Sequence, residues 1–253
     1  MGMMSNTSCQ NNRVCQTTSQ ASPERSHPLN WRGYSTEIKR VLALTGSPIA
    51  VSYSMMSPAG ANGQRRSVCQ ALLHARSGSV VSLSKDTCNC PGGAWHLGLE
   101  PRPSDDIYML WEEFLINGEK LFCSPASIRL TLALTAPPPL GRADHVIFSP
   151  LEKAEQMPDL VVFLCNPEQA CRLVTLATYP EGRPPKLEMA GSTCHMVIAY
   201  PLVTGEMNVS LLDYASRKYQ DYEPGELFVT VPYDMMAGLM WSLDRCSAGT
   251  AVI

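Results

Sequence analysis

Several features that define large protein classes are absent from this sequence. Its 253 residues contain no apolar run of about 18 residues, so we expect no membrane span. Basic residues are not in excess: 20 Lys and Arg stand against 23 Asp and Glu, and a net charge of −3 argues against sequence-independent nucleic-acid binding. The first 20 residues are polar and lack the apolar segment of a signal peptide. We therefore expect a cytoplasmic protein.

Common nucleotide-binding and hydrolase motifs are also missing. There is no GxxxxGK(S/T) loop and no GxGxxG after a strand, which argues against P-loop and Rossmann sites. There is no GxSxG elbow and no HExxH helix. The five histidines form no i,i+4 pair and the cysteines form no CxxC pair, so zinc is a weaker candidate than other metals.

The composition is that of a folded domain, because 45% hydrophobic residues exclude disorder throughout. We expect a polar tail over residues 1–30, which holds Cys9 and Cys15, and one main domain over residues 31–253. Short helices and short strands intermix in that domain. The expected fold class is therefore α/β or α+β, a mixed sheet with flanking short helices.

Hydrophobic periodicity and capping residues place the elements. Helices are predicted over 35–46, 67–76, 105–117, 166–178 and 232–243, with another opening at Ser124-Pro125. Strands are predicted over 48–54, 79–84, 159–164, 196–200, 208–212 and 226–231. A helix between 159–164 and 193–200 predicts a βα-type crossover, and the last strands are expected to pair antiparallel.

Ten cysteines are the unusual feature of the sequence. The most informative stretch is Cys88-Asn-Cys90-Pro-Gly92-Gly93, whose tight backbone exposes N–H groups that can donate to sulfur. Cys69 lies at the start of a predicted helix, where a thiolate is favoured, and Cys194 lies at the entry to a predicted strand. A single buried thiol is more often a small apolar side chain than a ligand.

A set of segments in this chain resembles the DUF169 family, a prokaryotic family of unknown function that is common in anaerobes and archaea. The segments are Cys69-Gln-Ala, Ala75-Arg, Cys90-Pro-Gly-Gly-Ala-Trp-His-Leu-Gly-Leu99, Val161-Val-Phe-Leu-Cys-Asn-Pro-Glu-Gln-Ala170, Pro201-Leu-Val-Thr-Gly-Glu-Met-Asn-Val-Ser-Leu211 and Arg217. The resemblance runs from about residue 35 to residue 245 and places Cys69, Cys90 and Cys194 at recurrent cysteine positions of the family. Some members carry a further Cys near 212–217, where this chain has Asp213 and Tyr214.

The leading hypothesis is a metal-binding redox protein that holds an iron–sulfur cluster of the [4Fe-4S] type. The expected ligands are Cys69, Cys90 and Cys194, with Cys88 or a non-Cys ligand such as Asp213 as the fourth. The N–H groups of Gly92 and Gly93 would donate to sulfur. Such a protein would serve electron transfer, or assist an anaerobic reductive pathway, together with a redox partner protein.

Two other classes of function stay open. In a metal-free, thiol-dependent enzyme, Cys69 or Cys90 would be the nucleophile, activated by a helix N-terminus or by an arginine, with His96 as a base. In a small-molecule binding protein, a polar pocket would be lined by Asn166, Gln169 and Arg217. The residues specify neither a substrate nor an oligomeric state.

Overall fold

A six-stranded sheet organises the fold. The structure is a computed structural model and describes residues 30–61, 63–133, 138, 140–189 and 191–250, so the predicted tail with Cys9 and Cys15 lies outside the described residues. The strands are β1 (Ile49–Ser54), β2 (Val81–Leu83), β3 (His145–Pro150), β4 (Leu160–Cys165), β5 (Asn208–Ser210) and β6 (Leu227–Pro232). They lie in the order β2-β3-β1-β4-β6-β5, and each neighbouring pair is antiparallel.

Short helices connect and cover the strands. They are α1 (Trp31–Leu42), α2 (Val68–Arg76), α3 (Pro91–His96), α4 (Asp105–Glu113), α5 (Pro125–Ala133), α6 (Pro167–Thr178), α7 (Tyr200–Thr204), α8 (Tyr214–Tyr219), α9 (Tyr233–Ser242) and α10 (Ser247–Thr250). A π-helical turn, Phe114–Gly118, extends α4, and a second one, His195–Ala199, runs directly into α7. Among the described residues, no helix combines the length and the apolar character needed to span a membrane.

The sheet is buried on both faces, and β4 shows how the sequence achieves this. Its side chains alternate between two apolar cores: Leu160 and Val162 enter one, while Val161 and Phe163 enter the other. The first core also contains Cys88 and Cys194, with side chains of α2, α3 and the turn His195–Ala199. We call this side the cysteine face. On the opposite face, α1, α6 and α9 cover the sheet.

Most of the element predictions agree with the structure. The fold class is confirmed as a single mixed domain of helices and strands, built here on an antiparallel sheet. The predicted helices over 67–76 and 166–178 correspond to α2 and α6. The capping box expected at Asn166 and Gln169 is present, and α2 begins with another one at Ser67 and Gln70. The expected antiparallel pairing of the last strands is also confirmed, between β5 and β6.

Two predictions are wrong, and one strand was missed. Residues 196–200 form no strand, because they belong to the π-helical turn and the start of α7. The predicted crossover to a strand at 193–200 is wrong for the same reason. Every residue from His195 to Ala199 is buried, so the apolar run lacks the exposed positions that distinguish a helix from a strand. Strand β3 was not predicted.

Candidate functional site

Cys69 is placed by the first turn of α2. Ser67 caps this helix by accepting from the backbone N–H of Gln70, whose side chain accepts from the N–H of Ser67 in return. Cys69 Sγ lies 3.2 Å from Ser216 Oγ of α8. Its backbone carbonyl accepts a hydrogen bond of 3.2 Å from the hydroxyl of Tyr222. These two contacts hold Cys69 against the segment 216–222, which lies about 150 residues further along the chain.

Cys90 stands at the N-terminus of α3, in the tight turn that the sequence predicts. Its Sγ accepts from the backbone N–H of Gly93 at 3.4 Å, and the N–H of Gly92 also lowers the pKa of this thiol. Both glycines permit close packing. A Cβ on Gly92 would lie 2.1 Å from the ring of Trp111, and one on Gly93 would lie 2.9 Å from Val68 Cγ2. One backbone N–H group of this turn thus donates to the sulfur of Cys90.

Cys194 precedes the π-helical turn His195–Ala199 and is 8% exposed. Its Sγ lies 3.7 Å from Ser192 Oγ. Burial raises its pKa well above the ordinary value, and the charges of Cys90, Cys69 and Asp213 raise it further. The charges of Cys69 and Cys90 therefore act on Cys194.

The charge of Cys90 acts on Cys69 as well, and we call Cys69, Cys90 and Cys194 the thiol cluster. Burial raises the pKa of Cys69 to about 12, and the charges of Asp213 and Cys90 add to the increase. Burial also raises the pKa of Cys90, again with a contribution from Asp213. The charge of Asp213 acts on all three thiols.

Asp213 is the polar centre beside the thiol cluster. Its Oδ2 accepts from the backbone N–H of Thr193 at 2.7 Å and from the hydroxyls of Thr193 and Ser216, each at 2.8 Å. Its Oδ1 accepts from the backbone N–H of Ser216 at 2.7 Å and so caps α8. Asp213 thereby orients one hydroxyl toward Cys69 and fixes the residue next to Cys194. Its oxygens are already engaged by protein donors.

Cys88 lies at the edge of this arrangement. Burial raises its pKa to about 11, with a charge contribution from Cys90, and its Sγ lies 3.5 Å from the carbonyl oxygen of Cys90. A Cβ on Gly93 would be 3.5 Å from Cys88 Sγ. Over the described ranges, no group of three or more His, Cys, Asp or Glu side chains is arranged to hold a metal ion. The thiols therefore lie near one another, but their side chains are not arranged to coordinate one metal ion directly.

Two stacked histidines adjoin the thiol cluster. The rings of His96 and His195 lie 5.3 Å apart and nearly parallel, and Trp95 stacks on His96 at 4.8 Å. Burial lowers the pKa of His96 to about 4, and burial together with the charge of His96 lowers the pKa of His195 to about 3. His96 is 1% exposed. A buried ring of such low basicity fits the packing role better than the role of a base.

Two of the three residues predicted to line a polar pocket, Asn166 and Gln169, lie apart from the thiols, whereas Arg217 directly follows Ser216 in α8. Asn166 and Gln169 form the capping box of α6, and Gln169 Nε2 also donates to the carbonyls of Leu42 and Ala43 at the end of α1. Both positions belong to the opposite face of the sheet. Arg217 of α8 donates to the backbone carbonyls of Leu211, Glu223 and Glu226, so its guanidinium joins three chain segments.

The chain was compared with known proteins. The model of the DUF169 family, described as "Uncharacterised ArCR", matches residues 37–240. The chain belongs to the DUF169 family. One relative is "Uncharacterized protein MJ0308" of Methanocaldococcus jannaschii, 27% identical over 101 residues that cover 39% of this chain and 43% of that protein. The match therefore spans less than half of the relative's length. No solved structure matches the chain.

The DUF169 match includes all of the thiol cluster and its polar surroundings. The resemblance identified the three cysteines and Asp213, but not the hydroxyls of Thr193 and Ser216 that connect Asp213 to them. It also missed Trp111, which packs on Gly92. Thr193, Ser216 and Trp111 belong to no motif of fixed spacing in this sequence. They reach the site only because the fold brings distant segments together.

Proposed function

We propose that this DUF169 protein binds metal through the thiol cluster, preferably as an iron–sulfur cluster, and acts in electron transfer or as an accessory to an anaerobic reductive pathway. The observation that carries the proposal is the convergence of Cys69, Cys90 and Cys194 from three separate segments on one place beside Asp213. Iron–sulfur clusters take cysteine thiolates and hydrogen bonds to sulfur. A bound cluster would supply reversible one-electron transfer.

The charges around the thiols support a cationic occupant. Burial and Asp213 both oppose the thiolate form of the cluster residues. A metal ion reverses this preference, since a coordinated thiol is deprotonated outright. Three thiolates beside the Asp213 carboxylate need positive charge, which a bound metal ion would supply.

The protein would contribute orientation and hydrogen bonds to this site. The backbone N–H of Gly93 already donates to Cys90 Sγ, and Ser216 is held beside Cys69 by Asp213. We assign the three clustered thiols as ligands. Cys88 is the nearest further thiol, whereas both oxygens of Asp213 are occupied by other donors. Binding would require the thiols to move into ligating positions.

Two observations favour the metal site over the two alternative functions. A nucleophilic cysteine needs a lowered pKa, whereas burial raises the pKa of Cys69 and of Cys90. The polar side chains of Asn166, Gln169 and Arg217 are engaged in capping and in contacts to carbonyls. We further propose a cytoplasmic location and a redox partner protein, in keeping with a cluster that exchanges electrons.

Metal analysis of protein purified without oxygen tests the proposal. We expect broad visible absorption and about four irons per chain for the cluster type named. The Cys90→Ser variant should lose most of the iron while keeping its fold, because a serine oxygen is a much poorer ligand for iron than a thiolate. Cys246→Ser is the control, since Cys246 is buried on the opposite face.

Two outcomes would refute the metal site. One is colourless, iron-free protein under these conditions, and the other is equal iron in the Cys90 and Cys246 variants. Iodoacetamide mapping then separates the alternatives. Rapid alkylation of Cys69 or Cys90 in folded, metal-free protein would favour the nucleophile. Labelling that increases only after chelation would favour ligation.

A further inference from the structure

Arg66 places a positive charge inside the protein, and no carboxylate of the described residues pairs with it. The residue is only 9% exposed, and an arginine is charged at every physiological pH. Its Nη2 donates to Gln64 Oε1 at 2.9 Å, whereas its buried Nη1 has no hydrogen-bond partner. A buried charge in this state is costly unless an anion joins it.

The surrounding sequence offers no acidic residue for this purpose. Between Glu37 and Asp86 the chain contains neither Asp nor Glu. Arg76, in the same stretch, obtains its counter-charge from a distant segment, because its Nη2 lies 2.6 Å from Glu226 Oε1. The fold therefore gives Arg76 a carboxylate partner, whereas no carboxylate of the described residues pairs with Arg66.

The backbone of Arg66 is fixed to residues 87–93, which carry Cys88 and Cys90 and which we call the cysteine loop. Its N–H donates to the carbonyl of Thr87 at 2.9 Å, and its carbonyl accepts from the N–H of Asn89 at 3.0 Å. These two bonds form an isolated parallel bridge between Arg66 and Cys88. The guanidinium is thus held on a rigid support rather than on a free loop.

We propose that Arg66 anchors a binding site for a small oxyanion, the carboxylate or phosphate group of a ligand, beside the cysteine loop. The planar guanidinium donates two parallel hydrogen bonds to such a group, and Nη1 is the donor that lacks an acceptor. The anion would satisfy that donor and neutralise the buried charge. This site does not depend on whether the thiol cluster holds metal.

Calorimetric titration of the full chain with inorganic phosphate, and separately with acetate, tests the site. We expect saturable binding of at least one of the two anions. Arg66→Met keeps an unbranched apolar stem and removes the guanidinium charge, so it should weaken that binding at least tenfold. Without added anion, the Met variant should unfold at the same or a higher temperature, since an unpaired buried charge is gone. Arg65→Gln, an exposed neighbour, should bind like the wild type.

The two titrations distinguish the sources of the oxyanion. Binding of phosphate alone indicates a phosphorylated ligand, and binding of acetate alone indicates a carboxylate ligand. If neither anion binds, or if Arg66→Met binds as tightly as the wild type, the proposal is overturned. Should the Met variant fail to fold, Arg66→Lys keeps the charge but loses the planar pair of donors. Unchanged affinity in that variant would contradict the site equally.

Discussion

At the scale of single residues, burial dominates the chemistry of the cysteines. The pKa of Cys165, on the opposite face, is raised to about 12 by burial and by the charge of Glu226, with no other thiol contributing. Cys69 reaches a pKa of about 12 as well, also chiefly through burial. A raised pKa therefore does not mark the site. Cys69 differs from Cys165 in its neighbours, which are two further thiols, Asp213 and the hydroxyl of Ser216.

A first residue-scale prediction concerns Gly93, whose missing side chain lets the cysteine loop pack on α2. An alanine Cβ there would lie 2.9 Å from Val68 Cγ2 and 3.5 Å from Cys88 Sγ. We expect Gly93→Ala to lower the free energy of unfolding by about 1–3 kcal/mol, as overpacking does, and to reduce bound iron. Chemical denaturation and metal analysis measure the two effects.

Gly225→Ala is the matched control for that change, because nothing lies within 4 Å of a Cβ at Gly225. It should leave stability within about 0.5 kcal/mol of the wild type or raise it slightly. If Gly93→Ala is as stable and as rich in iron as this control, the close packing of the loop has no role in the site.

At the scale of elements, local sequence signals predicted the parts of the fold that have local causes. The capping box of α6 is formed by side chains three residues apart and was predicted, and α2 begins with a box of the same kind. The turn His195–Ala199 was misread as a strand because its apolar side chains are buried on every side. The contact between Cys69 and Ser216 spans 147 positions, and no periodicity encodes it. Local position singled out Cys69, Cys90 and Cys194 as candidates, and the family resemblance grouped them as one set.

Helix α4 covers the cysteine loop, and Trp111 makes the contact through Gly92. We expect Trp111→Ala to expose this loop and so to increase the rate at which iodoacetamide labels Cys90 in metal-free protein. Peptide mapping by mass spectrometry follows each thiol separately. The labelling rate of Cys171, which is exposed on another helix, serves as the internal reference.

Leu110→Ala controls for a general loss of α4, since Leu110 is 72% exposed and faces away from the core. It should leave the labelling of Cys90 unchanged. Equal rates for Cys90 in the Trp111 and Leu110 variants would show that α4 does not shield the loop.

The contact between α3 and the turn His195–Ala199 predicts a dependence of stability on pH. Burial lowers the pKa of His96 from 6.5 to about 4, so the unfolded chain binds a proton more readily than the folded one. The contribution of neutral His96 to the free energy of unfolding is therefore complete above pH 6.5 and is lost as the pH falls toward 4. We expect His96 to contribute on the order of 3 kcal/mol to this loss, with His195 acting in the same direction.

Denaturant unfolding at several pH values between 7 and 4 measures this slope. His96→Gln should flatten it, whatever its effect on stability at pH 7, because glutamine does not titrate. His74→Gln should retain the slope of the wild type, since His74 is exposed on α2. An unchanged slope in the His96 variant would mean that carboxylates alone account for the acid sensitivity.

At the scale of the whole molecule, the sheet separates two cores with different contents. The opposite face contains Cys165 and Cys246 among apolar neighbours, whereas the cysteine face gathers thiols from α2, the loop before α3 and the segment before the π-helical turn. A ligand bound by these three segments would join parts of the chain that are far apart in sequence. Occupancy of the site should therefore be coupled to the stability of the entire domain.

The last prediction follows from this coupling. A metal that binds only the folded state stabilises it by about 2.7 kcal/mol when its free concentration is a hundred times the dissociation constant. Iron-loaded protein should therefore unfold at a higher temperature than protein treated with a chelator. Loading should also release protons, because the pKa values of the thiol cluster are raised and ligation requires thiolates. Acidification should accordingly release the metal and bring the two melting temperatures together.

Two variants separate this effect from a general effect of iron. Cys90→Ser should melt at one temperature with or without chelator, because it retains no site to load. Cys165→Ser, which changes a buried thiol on the opposite face, should preserve the difference between the two treatments even if it lowers both temperatures. A difference that survives in the Cys90 variant would place the stabilising metal elsewhere in the chain. Its loss in the Cys165 variant alone would point to the opposite face.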